Sequence, residues 1–187
     1  LKGGGRESLE LANVSVTASN IKNGASGKLD LSALLAMDKT APAPAKPAAM
    51  QAKLNGSFTF ELTKDLKPAN VKGSAAFAIE KATGDFADFA ALAAKLDCDA
   101  TPTEVKQIAL RFTQANEALC ELRVSGPFDA AKSEVRLNVA VLSLDRRVLN
   151  LFGAASGIEF GTTVLNSTNV IDLSKGGALI TASGQLD

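Results

Sequence analysis

The chain has 187 residues, of which 46% are hydrophobic and 21% charged, and its 20 basic residues balance its 20 acidic residues. This apolar content is sufficient for a folded core and argues against disorder, and the length fits one domain or two small packed units. The zero net charge argues against nucleic acid as a partner, and the sequence holds no histidine, which excludes Ser-His-Asp and Cys-His catalysis within it.

Period-two alternation of apolar and polar residues begins near the amino terminus and dominates the sequence. In the first run Leu9 and Leu11 hold odd positions, whereas Val14 holds an even one. A β-bulge near Asn13 would restore a single apolar face across this change of phase. Residues 1–38 are therefore predicted to form an N-terminal strand pair of a sheet.

Residues 39–50 differ in composition, with three prolines set among alanines. Proline cannot donate to a strand ladder and disrupts a helix interior, so this segment is predicted to be an exposed, extended linker.

Residues 51–130 are predicted to form a first β-repeat unit, because runs such as 58–62 and 108–112 alternate apolar with polar residues. One stretch of this unit has helical spacing instead. Asp85 is a plausible N-cap, and a stripe of apolar residues follows it at Phe86, Phe89, Leu92, Ala93 and Leu96. The spacing predicts a short helix near 85–96 that covers one end of the sheet.

Residues 131–187 are predicted to form a second β-repeat unit, with a helix near 145–153 capped by Asp145 and stopped by Gly153. The sequence Ser-Gly-Pro-Phe-Asp at 125–129 recurs as Ser-Gly-Gln-Leu-Asp at 183–187. Similar element order before both phrases supports a duplication. The predicted fold is mainly β: a curved, antiparallel-rich sheet of repeated strand units with two short helices.

The sequence carries no catalytic signature, and we expect neither an enzyme nor a cofactor. The acidic segment 97–104 could attract a hard cation, but its spacing matches no calcium loop, so a solvated connector is favoured and no metal site is predicted. Cys98 and Cys120 would pair only in an oxidising compartment, and the sequence leaves their state open.

Nine residues on the apolar sides of the predicted strands are candidate lipid-facing residues. Whether these sides line an open groove or meet in a closed core is left open by alternation alone. The candidates are Phe58, Phe60, Phe77, Ile79, Leu110, Phe112, Leu122, Leu137 and Val139.

Several strand and turn patterns outside the linker resemble the AsmA family of bacterial envelope proteins, which includes TamB-like proteins. They are Ser-Gly-Lys-Leu-Asp-Leu at 26–31, Asp-Phe-Ala-Asp-Phe at 85–89, Ala-Leu-Arg-Phe at 109–112, and the segments 122–129, 145–157 and 182–187. The resemblance implies a long curved sheet with an apolar inner face, and it carries over no catalytic residues. It also implies a periplasmic location, with the inner-membrane anchor elsewhere in a longer parent chain.

The function expected from this resemblance is lipid transport or outer-membrane assembly, with phospholipid or another acyl-chain lipid as the partner. In this hypothesis the chain presents an apolar groove in which acyl chains bind. The alternative is a structural or adhesive β-module with a closed core and no lipid ligand.

Overall fold

The computed structural model describes residues 6–40, 47–129, 131–153 and 157–187. They form one antiparallel sheet of ten strands in chain order, in which each strand pairs with its sequence neighbours. The mainly-β prediction is confirmed, with ten strands where about nine were expected. The strands are β1 Arg6–Ser19, β2 Ser26–Thr40, β3 Ala48–Leu62, β4 Pro68–Thr83, β5 Leu92–Ala100, β6 Glu104–Gln114, β7 Glu117–Asp129, β8 Glu134–Asp145, β9 Val164–Ser174 and β10 Leu179–Leu186.

The change of phase in the first strand is a β-bulge, as predicted. The register between β1 and β2 shifts between Ala12 and Ser15, and Asn13 has a positive φ of 50°. The bulge brings Leu9, Leu11 and the later even-numbered residues of β1 to the same face of the sheet.

The sheet is a single layer. Its accessible surface is 12260 Å², whereas a compact monomer of this mass exposes about 8,500 Å². In the described parts of the chain each strand packs on its sheet neighbours, and few side chains are buried. Of the described hydrophobic residues, those that are buried are Ala48, Ala52, Ile79, Ala109, Leu119 and Leu149.

The helix predicted near 85–96 is shorter than expected. A 3-10 helix spans Gly84–Phe89, Ala91 follows with a positive φ of 57°, and Leu92 then begins β5. The prediction is therefore wrong for the second half of the segment. A strand is favoured from Leu92 onward because its backbone forms hydrogen bonds with both β4 and β6. A helix in its place would leave the facing backbone groups of β4 and β6 without these partners.

The second helix, α1, spans Arg146–Gly153 and agrees with the prediction. Asp145 is its N-cap, because Asp145 Oδ1 accepts a hydrogen bond from the backbone N–H of Arg147 at 2.8 Å. The helix lies against β7 and β8, and Leu149 is buried on its inner side.

The linker predicted over 39–50 is too long. Lys39 and Thr40 belong to β2, and β3 begins at Ala48, whose exposed fraction is only 2%. Ala48 is buried because Gly84 lies on it: a Cβ atom at Gly84 would be 2.7 Å from the Cβ of Ala48. The rest of the proline-containing segment, 41–46, lies outside the described residues.

The two copies of the Ser-Gly-x-x-Asp phrase close the last strand of each predicted unit, at the ends of β7 and β10. The elements before them differ, since three strands follow the 3-10 helix and two follow α1. Both phrases therefore end the second strand of a hairpin, β6–β7 and β9–β10, and duplication of the units stays a prediction.

Candidate functional site

The register places the apolar positions of all ten strands on one side of the sheet. Residues paired directly across antiparallel strands share a face, and one row of such pairs runs from Leu54 through Phe77, Ala94 and Phe112 to Cys120. We call this side the apolar face. It comprises Leu9, Leu11, Val16 and Ala18 of β1, odd positions 27–37 of β2, even positions 52–60 of β3, odd positions 71–79 of β4, even positions 94–100 of β5, 108–112 of β6 and 120–124 of β7, odd positions 135–141 of β8 and 165–173 of β9, and even positions 180–186 of β10.

All nine residues singled out from the sequence lie on the apolar face. They form one group on β3 and β4 and a second group on β6, β7 and β8. Ile79 is 7% exposed, and the other eight are half-buried by their neighbours in the sheet. The structure therefore brings the candidates onto one surface, while their contact with lipid stays a prediction.

Sequence reasoning missed the strand that joins these two groups. β5 places Ala94, Leu96 and Cys98 between the aromatic residues of β4 and β6. The signal that could have revealed it is the alternation of these residues with Lys95 and Asp97.

The apolar face carries large apolar side chains on both edge strands of the sheet. On β1, Leu9 and Val16 are 67% and 68% exposed, and on β10, Ile180 and Leu186 are 70% and 68% exposed. Large exposed apolar patches are uncommon on monomeric soluble proteins and generally mark binding surfaces. This continuity makes the whole face, and not one enclosed pocket, the candidate site.

A small polar spot interrupts the apolar face on β9. Ser167 and Asn169 lie there, and Asn169 Nδ2 donates a hydrogen bond to Ser167 Oγ at 3.2 Å. Gly184 of β10 lies beside them, and the Asn169 side chain fills the space that a Cβ at this glycine would take. One Asn169 amide donor is therefore satisfied within the spot.

Both cysteines lie on the apolar face as free thiols. Cys98 pairs with Ile108 and Cys120 with Phe112, so the two thiols lie two strands and about four residues apart. At about 4.8 Å per strand and 3.3 Å per residue, this separation is about 16 Å, well beyond the reach of a disulfide. In this fold Cys98 and Cys120 therefore cannot form a disulfide with each other, which the sequence had left open.

The opposite side of the sheet carries a network of ion pairs across β5, β6 and β7. Arg111 lies 2.6 Å from Asp97 and 3.0 Å from Glu121, and Arg123 lies 2.8 Å from Glu121. Ala109 pairs directly with both Asp97 and Arg123 and has no exposed surface, because these long side chains cover it. This side is therefore suited to contact with water.

The ion pairs keep the carboxylates of this network ionised. Hydrogen bonds from Arg123, together with the charges of Arg111 and Arg123, hold the pKa of Glu121 below its usual range. Partial burial opposes ionisation of Asp97, but hydrogen bonds from Lys95 and Arg111 outweigh it, and the pKa of Asp97 is also lowered. The network is therefore charged at neutral pH.

The acidic segment considered as a cation site is engaged in these pairs. Asp97 contacts Lys95 and Arg111, and Asp99 contacts Lys72 at 3.2 Å. Within the described ranges no three His, Cys, Asp or Glu side chains gather in a way that could hold a metal ion.

The two helices lie at the same end of the sheet, on either side of the β6–β7 turn. Gln114 Nε2 donates to the backbone oxygens of Asp88 and Ala90, and Arg147 forms an ion pair with Glu117 at 3.0 Å. Between the helices is a cavity of about 590 Å³ whose lining includes Phe89, Leu92, Leu119 and Val148. The two helices therefore cover this end of the sheet, as predicted for the first helix, and short turns connect the strands at the opposite end.

No protein-family model, curated protein or solved structure matches the chain. The helices in the described part of the chain are too short and too polar to cross a bilayer. The likeness to the AsmA family thus rests on the sequence patterns given above.

Proposed function

We propose that this chain is a non-catalytic, lipid-carrying segment of a bacterial envelope protein, whose apolar face receives acyl chains. The observation that supports this most directly is the apolar face itself. It spans every strand of a single-layer sheet and has no covering layer among the described residues. Aliphatic and phenylalanine side chains make it a surface that needs no specific polar contact with its ligand.

The dimensions of the face suit an acyl chain. Nine inter-strand steps of about 4.8 Å carry it across about 43 Å, and eight residues along a strand extend about 27 Å. One leaflet of a bilayer has a hydrocarbon depth of about 15 Å, so one acyl chain fits in either direction. Full burial of a CH₂ group contributes about 0.8 kcal/mol, and a chain lying on an open face gains a part of this for each group.

The alternative, a structural or adhesive module with a closed core, requires a second layer against the apolar face. The charged side of another copy of the sheet would be unsuited as that second layer, because its network of Arg111, Glu121 and Arg123 is already paired and faces water. Lipid is therefore the better-supported occupant. The resemblance adds the proposed setting: the periplasm, a parent chain anchored in the inner membrane, and transport of lipid or assembly of the outer membrane.

The test is capture of lipid by the purified chain. After delipidation, the chain is mixed with vesicles that contain a phospholipid bearing a photoreactive acyl chain, irradiated, and digested for mass spectrometry. Adducts are expected on the apolar face. Phe77→Asp, Phe112→Asp and Leu137→Asp should each strongly reduce them, because an unpaired carboxylate is costly next to an acyl chain.

Matched controls place the same charge on the opposite side of the same strands. Ala76→Asp and Asn138→Asp neighbour Phe77 and Leu137 in sequence but point away from the apolar face, and both wild-type residues are exposed. They should retain capture, with circular dichroism confirming the fold of every variant. A well-folded chain that captures no lipid, or that is labelled equally on both sides, would favour the structural module.

A further inference from the structure

The 3-10 helix lies on the same side of the sheet as the apolar face. Gln114 comes two residues after Phe112 on β6 and shares its face. The amide nitrogen of Gln114 donates to two backbone oxygens at the end of the 3-10 helix, at 2.8 and 3.1 Å. Lys39, at an apolar-face position of β2, forms an ion pair with Asp85 of the same helix at 2.8 Å. The helix is therefore held over this end of the apolar face from two strands.

The helix α1 is held on this side as well. Glu117 of β7 pairs directly with Gln114 and so shares its face, and Arg147 of α1 forms an ion pair with Glu117 at 3.0 Å. The cavity of about 590 Å³ between the two helices is therefore on the apolar-face side. Leu92, which lines it, is two residues along β5 from Ala94, a distance of about 7 Å. The cavity thus adjoins the apolar face at its end.

The polar side chains that line the cavity are already engaged. The amide nitrogen of Gln114 is held by the 3-10 helix, and the guanidinium of Arg147 lies between two carboxylates, at 2.9 and 3.0 Å. Asn150 Oδ1 accepts a hydrogen bond from a backbone N–H at 2.6 Å, and Asp88 is exposed to water. A polar ligand would have to compete with these partners, whereas an apolar one would contact the rest of the lining. That part of the lining includes Phe89, Leu92, Leu119 and Val148.

We propose that this cavity receives the methyl end of a phospholipid acyl chain whose remaining length lies on the apolar face, an inference that rests on the function proposed above. An apolar cavity of about 150 Å³ takes up benzene, and this one is about four times larger. A chain end enclosed between two helices also buries more of each CH₂ group than a chain on the open face. The head group then lies away from the helices, because the Arg147 guanidinium that could hold a phosphate is paired with two carboxylates.

Two photoreactive phospholipids test this orientation on the full chain. One carries a diazirine at the methyl end of its acyl chain, and the other carries it next to the ester. After irradiation and digestion, the methyl-end probe should label segments 86–92, 117–120 and 146–150, which line the cavity. The ester probe should label the apolar face around Cys98 and Ile108, since Cys98 is about 20 Å along β5 from Leu92.

A variant that fills the cavity supplies the second measurement. Ala87 lines the cavity and is exposed, so Ala87→Phe should remove most of the methyl-end labelling there and leave labelling of the apolar face unchanged. Ala131→Phe, in the exposed β7–β8 turn at the opposite end, is the matched control and should alter neither, with circular dichroism confirming both folds.

The outcomes separate this inference from the proposed function. Labelling of the apolar face by both probes with the cavity unlabelled would overturn the inference and leave the proposed function standing. Cavity labelling by the ester probe, or cavity labelling that Ala87→Phe leaves unchanged, would also overturn it. A chain that neither phospholipid labels would overturn both.

Discussion

Phe60 of β3 lies directly across from Gly27 of β2, and its ring occupies the space that a side chain at Gly27 would need. A Cβ atom at Gly27 would lie 2.6 Å from Phe60 Cε2 and 3.0 Å from the backbone oxygen of Ser19. Phe58 and Gly73 form a similar pair across β3 and β4. The aromatic rings thus lie over glycines, which provides packing on a face that has no second layer.

Gly27→Ala is expected to destabilise the chain by about 1–3 kcal/mol, because the added methyl group overpacks the contact with Phe60. The ring is the far end of a side chain, so Phe60→Ala should remove much of this penalty. A double-mutant cycle measured by urea unfolding quantifies the coupling. Additive effects of the two substitutions would contradict the contact.

Gly73→Ala is the comparison for this cycle. A Cβ atom at Gly73 would lie 2.6 Å from Phe58 Cα, which is a backbone atom and cannot rotate away. Phe58→Ala should therefore fail to relieve Gly73→Ala. If Phe58→Ala relieved Gly73→Ala as much as Phe60→Ala relieves Gly27→Ala, the expected difference between a ring contact and a backbone contact would be wrong.

The native cysteines provide reporters of lipid contact. Cys98 and Cys120 lie on the apolar face, so a polarity-sensitive fluorophore attached to either thiol should shift to shorter wavelength when phospholipid vesicles are added. The matched control is Asn138→Cys in a chain without the native cysteines, since Asn138 lies on the opposite side of the sheet. Equal shifts at both sides would argue against occupation of the apolar face.

The same thiols should react slowly at neutral pH. Partial burial raises the pKa of Cys98 and of Cys120, and the charge of Asp99 raises that of Cys98 further. Because the thiolate is the reactive form, the rate of maleimide addition should rise at a higher pH in the folded chain than in the urea-unfolded chain. Coincident pH profiles would show that the fold does not perturb these thiols.

The single apolar face could be predicted from the sequence because alternation is a local property of each strand. The phase change at Asn13 was likewise readable, since only a bulge keeps Leu9 and Val16 on one face. The strand β5 could not be predicted from the sequence, because Leu92 and Leu96 satisfy helical spacing as well as alternation. Its pairing with β4 and β6, which lies outside the local sequence, decides between them.

Whether the apolar face is open could not be predicted at all. The residues of a one-layer sheet and those of a sandwich alternate in the same way, and the difference is set by what packs across the face. Ala48 illustrates a related limit. It reads as part of a solvated alanine and proline linker, but it is buried because Gly84, distant in sequence, lies on it.

The ion-pair network should make stability depend on pH on the acid side. The pKa of Glu121 is lowered in the folded chain, so its contribution is present above the unfolded value of about 4.3 and is lost as pH falls through the lower, folded value. The destabilisation caused by Glu121→Gln should therefore shrink as the pH of urea unfolding is lowered through this window. Glu80→Gln, at an exposed residue of β4, is the control, and a pH-independent difference at Glu121 would contradict this role.

The last prediction concerns the N-cap of α1. Asp145→Ala removes the acceptor for the Arg147 backbone N–H and the 2.9 Å contact with the Arg147 guanidinium. The free energy of unfolding is expected to fall by about 0.5–2 kcal/mol. Asp145→Asn keeps a cap oxygen and should cost less. Because Leu149 of α1 and Leu119 of β7 are both buried at this end of the sheet, hydrogen exchange should accelerate in α1 and around Leu119 in the alanine variant. Equal effects of the two substitutions would assign the stabilisation to the charge of Asp145, and unchanged exchange in α1 would show that the cap does not hold the helix in place.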